Sequence, residues 1–150
     1  MADETQIHAT AVALEGLGIL LRGPSGSGKS DLGIRLIDRG AVLIADDRVD
    51  LRRRGDNILA SPPNALAGKI EVRGLGVVET VHRGDIPIVA AFNLVAGAEI
   101  ERLPEPETVD FLGVAVPRFY IAAFESSATA KVRLAAGAVS GSIMRLPTDG

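Results

Sequence analysis

Ile19-Leu20-Leu21-Arg22-Gly23-Pro24-Ser25-Gly26-Ser27-Gly28-Lys29-Ser30 is the stretch on which the reading of this chain turns. An apolar run ends in a glycine-rich loop, and Gly23 to Ser30 satisfies G-x-x-x-x-G-K-[ST] in the context that pattern requires, a strand before it and a helix after it. The spacing has a physical cause. Polyphosphate oxygens need many donors in a small volume, and glycines let successive backbone N–H groups converge on them while the helix that follows adds its positive end. Lys29 then supplies a mobile cation for the outer phosphates, and the Ser30 hydroxyl is a ligand for Mg²⁺. All eight residues, Gly23, Pro24, Ser25, Gly26, Ser27, Gly28, Lys29 and Ser30, are therefore expected to hold the phosphates of a nucleoside triphosphate or a similar polyphosphate.

Upstream of the loop, the β-branched Ile7, Thr10 and Val12 predict a strand from Ile7 to Leu14. The small-residue turn Glu15-Gly16-Leu17-Gly18 leads from it into Ile19-Leu20-Leu21. Downstream, Leu32, Ile34, Leu36 and Ile37 recur at near-helical spacing, which predicts a short helix from Ser30 to Arg39 with Gly40 as its stop. Ala41 to Ala45 then reads as a buried strand ending in Asp46-Asp47, and Val49-Asp50-Leu51 with Asn57-Ile58-Leu59 as a hairpin around Arg54-Gly55-Asp56. Ser61-Pro62-Pro63-Asn64 breaks the pattern before Ile70-Glu71-Val72-Arg73 and the flexible Gly74-Leu75-Gly76. Ile86 to Leu94, with Pro87 as an edge signal, and Arg118 to Phe124 read as strands separated by an acidic surface connection from Glu99 to Glu107. The alanine-rich stretch from Ser127 to Val139 predicts a closing helix that ends near Gly141. No internal repeat is visible.

With 150 residues, the chain reads as one α/β domain, 1–150, large enough to bury a single sheet-plus-helix core. It has no cysteine, which excludes disulfides, thiolate metal sites and cysteine nucleophiles together. A net charge of −3 and the absence of tryptophan argue against broad nucleic-acid binding. The short basic run Arg52-Arg53-Arg54 reads either as a solvated hairpin edge or as a docking patch for an acidic partner. No apolar run approaches the roughly 20 residues of a membrane span, and the acidic start Met1-Ala2-Asp3-Glu4 is unlike a secretory signal, so a cytoplasmic protein is expected.

A phosphate loop fixes the donor and says nothing of the acceptor, so residues able to meet the outermost phosphate from elsewhere carry the remaining information. Asp46-Asp47 comes first: two adjacent carboxylates at a strand exit suit one ligand to a metal's surroundings and one base near an attacking oxygen, or else are ordinary turn aspartates. Ile7-His8, Gly23 to Ser30, Val42-Leu43-Ile44-Ala45-Asp46-Asp47 and Glu71-Val72-Arg73-Gly74-Leu75-Gly76 resemble, in order and spacing, the catalytic domain of bacterial HPr kinase/phosphorylase. The likeness runs from about Ile7 to Val81 and thins beyond. The motif block begins almost at residue 1, so a short form without that family's usual N-terminal domain is expected.

The resemblance implies a P-loop domain of the phosphoenolpyruvate-carboxykinase-like type, a mixed sheet with flanking helices. It further implies an ATP- and Mg²⁺-dependent kinase, with pyrophosphate as an alternative donor, acting on a serine of HPr, the phosphocarrier of the phosphotransferase system. Many members also run the reverse phosphorolysis, and a homo-oligomer, usually a hexamer, goes with the family. By the same resemblance Lys29 meets the transferring phosphate, Ser30 and Glu71 hold Mg²⁺, Asp47 takes the seryl proton and Asp46 supports it. His8, which as a lone strand histidine would read as structural, becomes an active-site residue. Arg118 stands before Glu125 at the family's spacing and is expected to neutralise charge on the transferring group, although Val116-Pro117 replaces the Pro-Gly that usually precedes it. The loop associated with dephosphorylation has no recognisable counterpart. Two other functions fit the loop: a small-metabolite kinase, and a regulatory domain that binds nucleotide and docks a partner without transferring phosphate.

Overall fold

The computed structural model describes residues 3–141. Strands β1 (Glu4–His8), β2 (Thr10–Leu14) and β3 (Leu17–Arg22) precede helix α1 (Lys29–Asp38), and β4 (Val42–Ala45), β5 (Arg48–Arg54) and β6 (Asn57–Ser61) follow it. A hairpin of β7 (Lys69–Val72) and β8 (Gly76–Glu79), the long β9 (Ile86–Leu94), β10 (Glu107–Phe111), β11 (Val114–Ile121) and helix α2 (Ala128–Ser140) complete the chain. The main sheet runs β1-β5-β6-β9-β3-β2-β4, with β11 joining β9 and β10 joining β11, while β7 and β8 pair with each other.

Direction within the sheet sets the position of the site. β3 is parallel to β9, and β9 to β11, while β2 is antiparallel to both β3 and β4, so β4 points the same way as β3. The carboxyl ends of β3, β4, β9 and β11 therefore share one edge of the sheet, the edge at which open α/β sheets hold their ligands.

Alternation along the strands divides the core in two. Val12, Ile19, Leu21, Leu43 and Phe92 face the helices and pack on Leu32 and Leu36 of α1 and Val132 and Ala136 of α2. Ala11, Leu20, Ile44 and Ala91 face the other way and are covered by Val49, Leu51 and Ile58 of β5 and β6 and by Val116 of β11. The sheet thus curls over on itself, and both helices lie on one face. Burial on both faces explains why the central strands read as nearly unbroken apolar runs.

Several expectations need correction. Ile7 to Leu14 is not one strand: the chain bends at Ala9, β1 pairing with β5 and β2 with β3 and β4. The same bend occurs opposite it at Asp46-Asp47, between β4 and β5, because these two segments run antiparallel side by side through the fold of the sheet. Pro87 does not mark an edge. β9 is central, and Pro87 sits where its neighbour changes, β6 pairing at Ile86 and Pro87 and β11 from Ala91 onward, so its missing N–H breaks no continuous ladder. β11 starts earlier and ends earlier than Arg118 to Phe124, and residues 122–125 form a loop over the end of α1. Neither β8 nor β10 is announced by the pattern of its residues. The helices agree closely with expectation, α1 covering Lys29–Asp38 and α2 covering Ala128–Ser140.

Candidate active site

Gly28 caps the start of α1 with φ 100, a left-handed conformation open to glycine, and a Cβ there would lie 2.9 Å from the Ala123 side chain. Lys29 opens the helix and is only 8% exposed. Its Nζ donates to the carbonyls of Gly23 (2.7 Å) and Pro24 (3.0 Å), folding the side chain back across its own loop. Burial lowers the affinity of this amine for its proton, and the charges of Asp47 and then Asp46 oppose that shift. Both carboxylates are therefore close enough to act on Lys29 electrostatically. Gly33, one turn on, lets the helix approach β2, its missing Cβ replaced by contact with the Thr10 methyl.

Asp46 is 6% exposed and gathers three donors. Its Oδ1 accepts from Thr10 Oγ1 (2.8 Å) and Ser30 Oγ (2.7 Å), and its Oδ2 from the Glu71 backbone N–H (3.2 Å). One buried carboxylate thus ties together β2, the start of α1 and β7. Burying a charge costs several kcal/mol unless its lone pairs are occupied, and the three donors meet that condition.

Asp47 differs from its neighbour in every respect. The Arg48 N–H donates to the Asp46 carbonyl at 2.8 Å, closing a three-residue turn centred on Asp47 at φ 71. A turn of that kind is rare and strained, and aspartate tolerates the left-handed region better than most residues. Asp47 projects into solvent, and the pairing of His8 with Arg48 across β1 and β5 brings His8 Nε2 to 2.9 Å from Asp47 Oδ1. Among the described residues the second carboxylate oxygen has no protein donor. Strain of this type gathers at functional positions.

The structure therefore brings His8, Lys29, Ser30, Asp46 and Asp47 to one end of the sheet, with the backbone of Glu71 beside them. The Glu71 side chain, on β7, is exposed and makes no hydrogen bond among the described residues. Among those residues no group of three or more His, Cys, Asp or Glu is arranged to hold a metal ion by itself. Mg²⁺ needs none: it is commonly held by one or two carboxylates with substrate phosphates and water, and the hard oxygens of Ser30 and Asp46, with Glu71 adjacent, fit that donor set.

Arg118 is placed differently. It pairs with Glu107 of β10 at 2.6 Å, and Tyr120 donates to the same carboxylate at 2.9 Å. Arg118 first and Tyr120 second hold the Glu107 carboxyl below its usual range. Arg118 makes no hydrogen bond to the loop or to the paired aspartates among the described residues; its charge is felt at Arg22, just before Gly23, where burial and then Arg118 lower the guanidinium. Arg52 and Arg53 of the basic run are engaged by Asp85 (3.0 Å) and by the Leu112 carbonyl (2.9 Å), so they brace the sheet.

Sequence reading missed Thr10, whose signal was a polar residue inside an otherwise apolar strand, and Phe124, whose ring edge would touch a Cβ on Gly28 at 2.9 Å.

Comparison with known proteins identifies the family. The family model for the HPr serine kinase C-terminal domain matches residues 1–139. An HPr kinase/phosphorylase of Burkholderia lata is 39% identical over 132 residues, 81% of this chain and 41% of that protein. One from Streptococcus uberis is 34% identical over 133 residues, 81% of this chain and 43% of that protein. The chain thus spans less than half the length of the curated relatives it matches. Among solved structures, the Hpr(Ser) kinase/phosphatase of Coxiella burnetii superposes with a TM-score of 0.77 at 24% identity, covering 87% of this chain and 92% of that one, a likeness of fold. On its sequence match and its architecture, the chain belongs to the HPr serine kinase C-terminal domain family.

Proposed function

We propose that this domain is an ATP-dependent serine kinase that phosphorylates HPr, on a P-loop scaffold of the phosphoenolpyruvate-carboxykinase-like type. The observation that carries the reading is the division of labour within Asp46-Asp47 beside a complete phosphate loop. One carboxylate is buried against Ser30, and the other is exposed and held by His8, with no other side-chain partner among the described residues.

The loop backbone and Lys29 bind the donor phosphates, Lys29 exchanging its bonds to the Gly23 and Pro24 carbonyls for phosphate oxygens. Ser30, Asp46 and Glu71 are the groups that would hold Mg²⁺, which when bound neutralises charge on the phosphoryl oxygens. The serine Oγ of the partner forms a bond to the γ-phosphorus as the bond to the β–γ bridging oxygen breaks, and ADP leaves. Asp47 accepts the seryl proton on its free oxygen while His8 fixes the other.

Incubation with γ-labelled ATP, Mg²⁺ and HPr tests the proposal. Label on an HPr serine is the expected result. Label in a small molecule would instead identify a metabolite kinase, and ATP binding without transfer a regulatory nucleotide-binding domain; either outcome rejects the proposal.

A further inference from the structure

Beside the phosphate loop lies a cavity of about 620 Å³, within the range of small-ligand sites. Pro24 and Ser27 of the loop form one wall, and the end of β9 with residues 95–97 and Glu99, together with residues 122–125 after β11, form the others. It is therefore continuous with the phosphate cradle. His8, Asp46 and Asp47 do not line it, so the side on which an acceptor hydroxyl must arrive stays open.

Its lining is mostly apolar, and its prominent feature is Phe124, 72% exposed, with its ring edge against Gly28. A phenylalanine left this open at the mouth of a cavity is a surface awaiting a flat partner. The two carboxylates in the wall already have local contacts: Glu99 accepts from the Ala96 N–H at 3.1 Å and Glu125 from Lys131 Nζ at 2.8 Å. Among the described residues, no asparagine, glutamine or arginine side chain lines it to read the hydrogen-bonding edge of a base.

We propose that this cavity receives the nucleoside of the bound triphosphate, with the base stacked on Phe124, and that it does so without selecting adenine over guanine. The inference rests on the phosphate-loop reading above and adds to it the place of the base and the residue that holds it. Stacking accepts any base because every base has a π-face, and it strengthens with ring area. ATP and GTP should therefore bind within about threefold of each other.

Calorimetric titration of the chain with Mg·ATP, Mg·GTP and Mg·tripolyphosphate, for the wild type, Phe124→Ala and Phe124→Trp, separates the contributions. Tripolyphosphate carries the phosphates without a nucleoside. In Phe124→Ala the Kd for ATP should rise about tenfold, the scale of one lost base stack, while that for tripolyphosphate stays within twofold of wild type. Phe124→Trp should retain ATP affinity, and its indole fluorescence should be quenched by ATP and not by tripolyphosphate. Equal losses for both ligands, or unchanged ATP affinity in Phe124→Ala, would overturn the nucleoside site while leaving the phosphate loop intact. A wild type that binds neither ligand would reject the loop reading, and the nucleoside site with it.

Discussion

Replacing Lys29 with alanine should raise the Kd for Mg·ATP by about 100-fold, equivalent to about 2.7 kcal/mol at 25 °C. The size follows from the loss of a charge-assisted contact, ordinarily about 1.5–3 kcal/mol, in a site where the amine is held away from water. Lys29 is buried beneath its own loop and acts under the combined field of Asp46 and Asp47. Its two bonds to the Gly23 and Pro24 carbonyls hold the amine over the loop, so the variant removes a cation already in place for the phosphates that displace those bonds. Titration calorimetry checks the expectation, and an affinity equal to wild type would remove the loop from the account.

Asp47→Asn should leave ATP affinity within about threefold and lower the rate of transfer by about 10²- to 10⁴-fold, the usual contribution of a positioned general base. Asparagine is the informative replacement because Asp47 holds φ 71, which asparagine tolerates and alanine does not, so the turn survives while the proton acceptor is lost. Asp46→Asn should act on stability as well. With its oxygen kept on the Thr10 and Ser30 hydroxyls, the amide would turn an N–H toward the Glu71 N–H, leaving two donors unpaired at a cost of about 2 kcal/mol in stability read by urea denaturation. Transfer at wild-type rate in Asp47→Asn together with a well-folded but inactive Asp46→Asn would reverse the two roles.

The parts of this site that were legible in the sequence are those whose chemistry confines residues locally. A loop that must admit phosphate oxygens between two regular elements leaves few choices, so Gly23 to Ser30 and α1 were readable from order and spacing. Asp46-Asp47 was visible as a strand exit for the same reason. What makes the two aspartates unequal was not visible, because it depends on strands brought together across the fold: Thr10 reaches Asp46 and His8 reaches Asp47 only through the paired bend of β1–β2 against β4–β5. β10 escaped notice because Glu107–Phe111 is an outermost strand with mostly exposed residues, so it lacks the apolar alternation of a half-buried one. Phe124 read as the end of a strand. Its place beside Gly28 follows from the turn that ends β11 early and from Arg35 holding the carbonyls of Ala123 and Glu125.

The most direct measurement is a crystal structure of the chain with Mg²⁺ and a non-hydrolysable ATP analogue. The account predicts the terminal phosphate within hydrogen-bonding distance of Lys29 Nζ, Mg²⁺ beside Ser30 Oγ, and the free oxygen of Asp47 turned toward the face of that phosphate from which a serine would approach. Phosphates bound elsewhere, or Asp47 directed away from the terminal phosphate with the loop occupied, would contradict it.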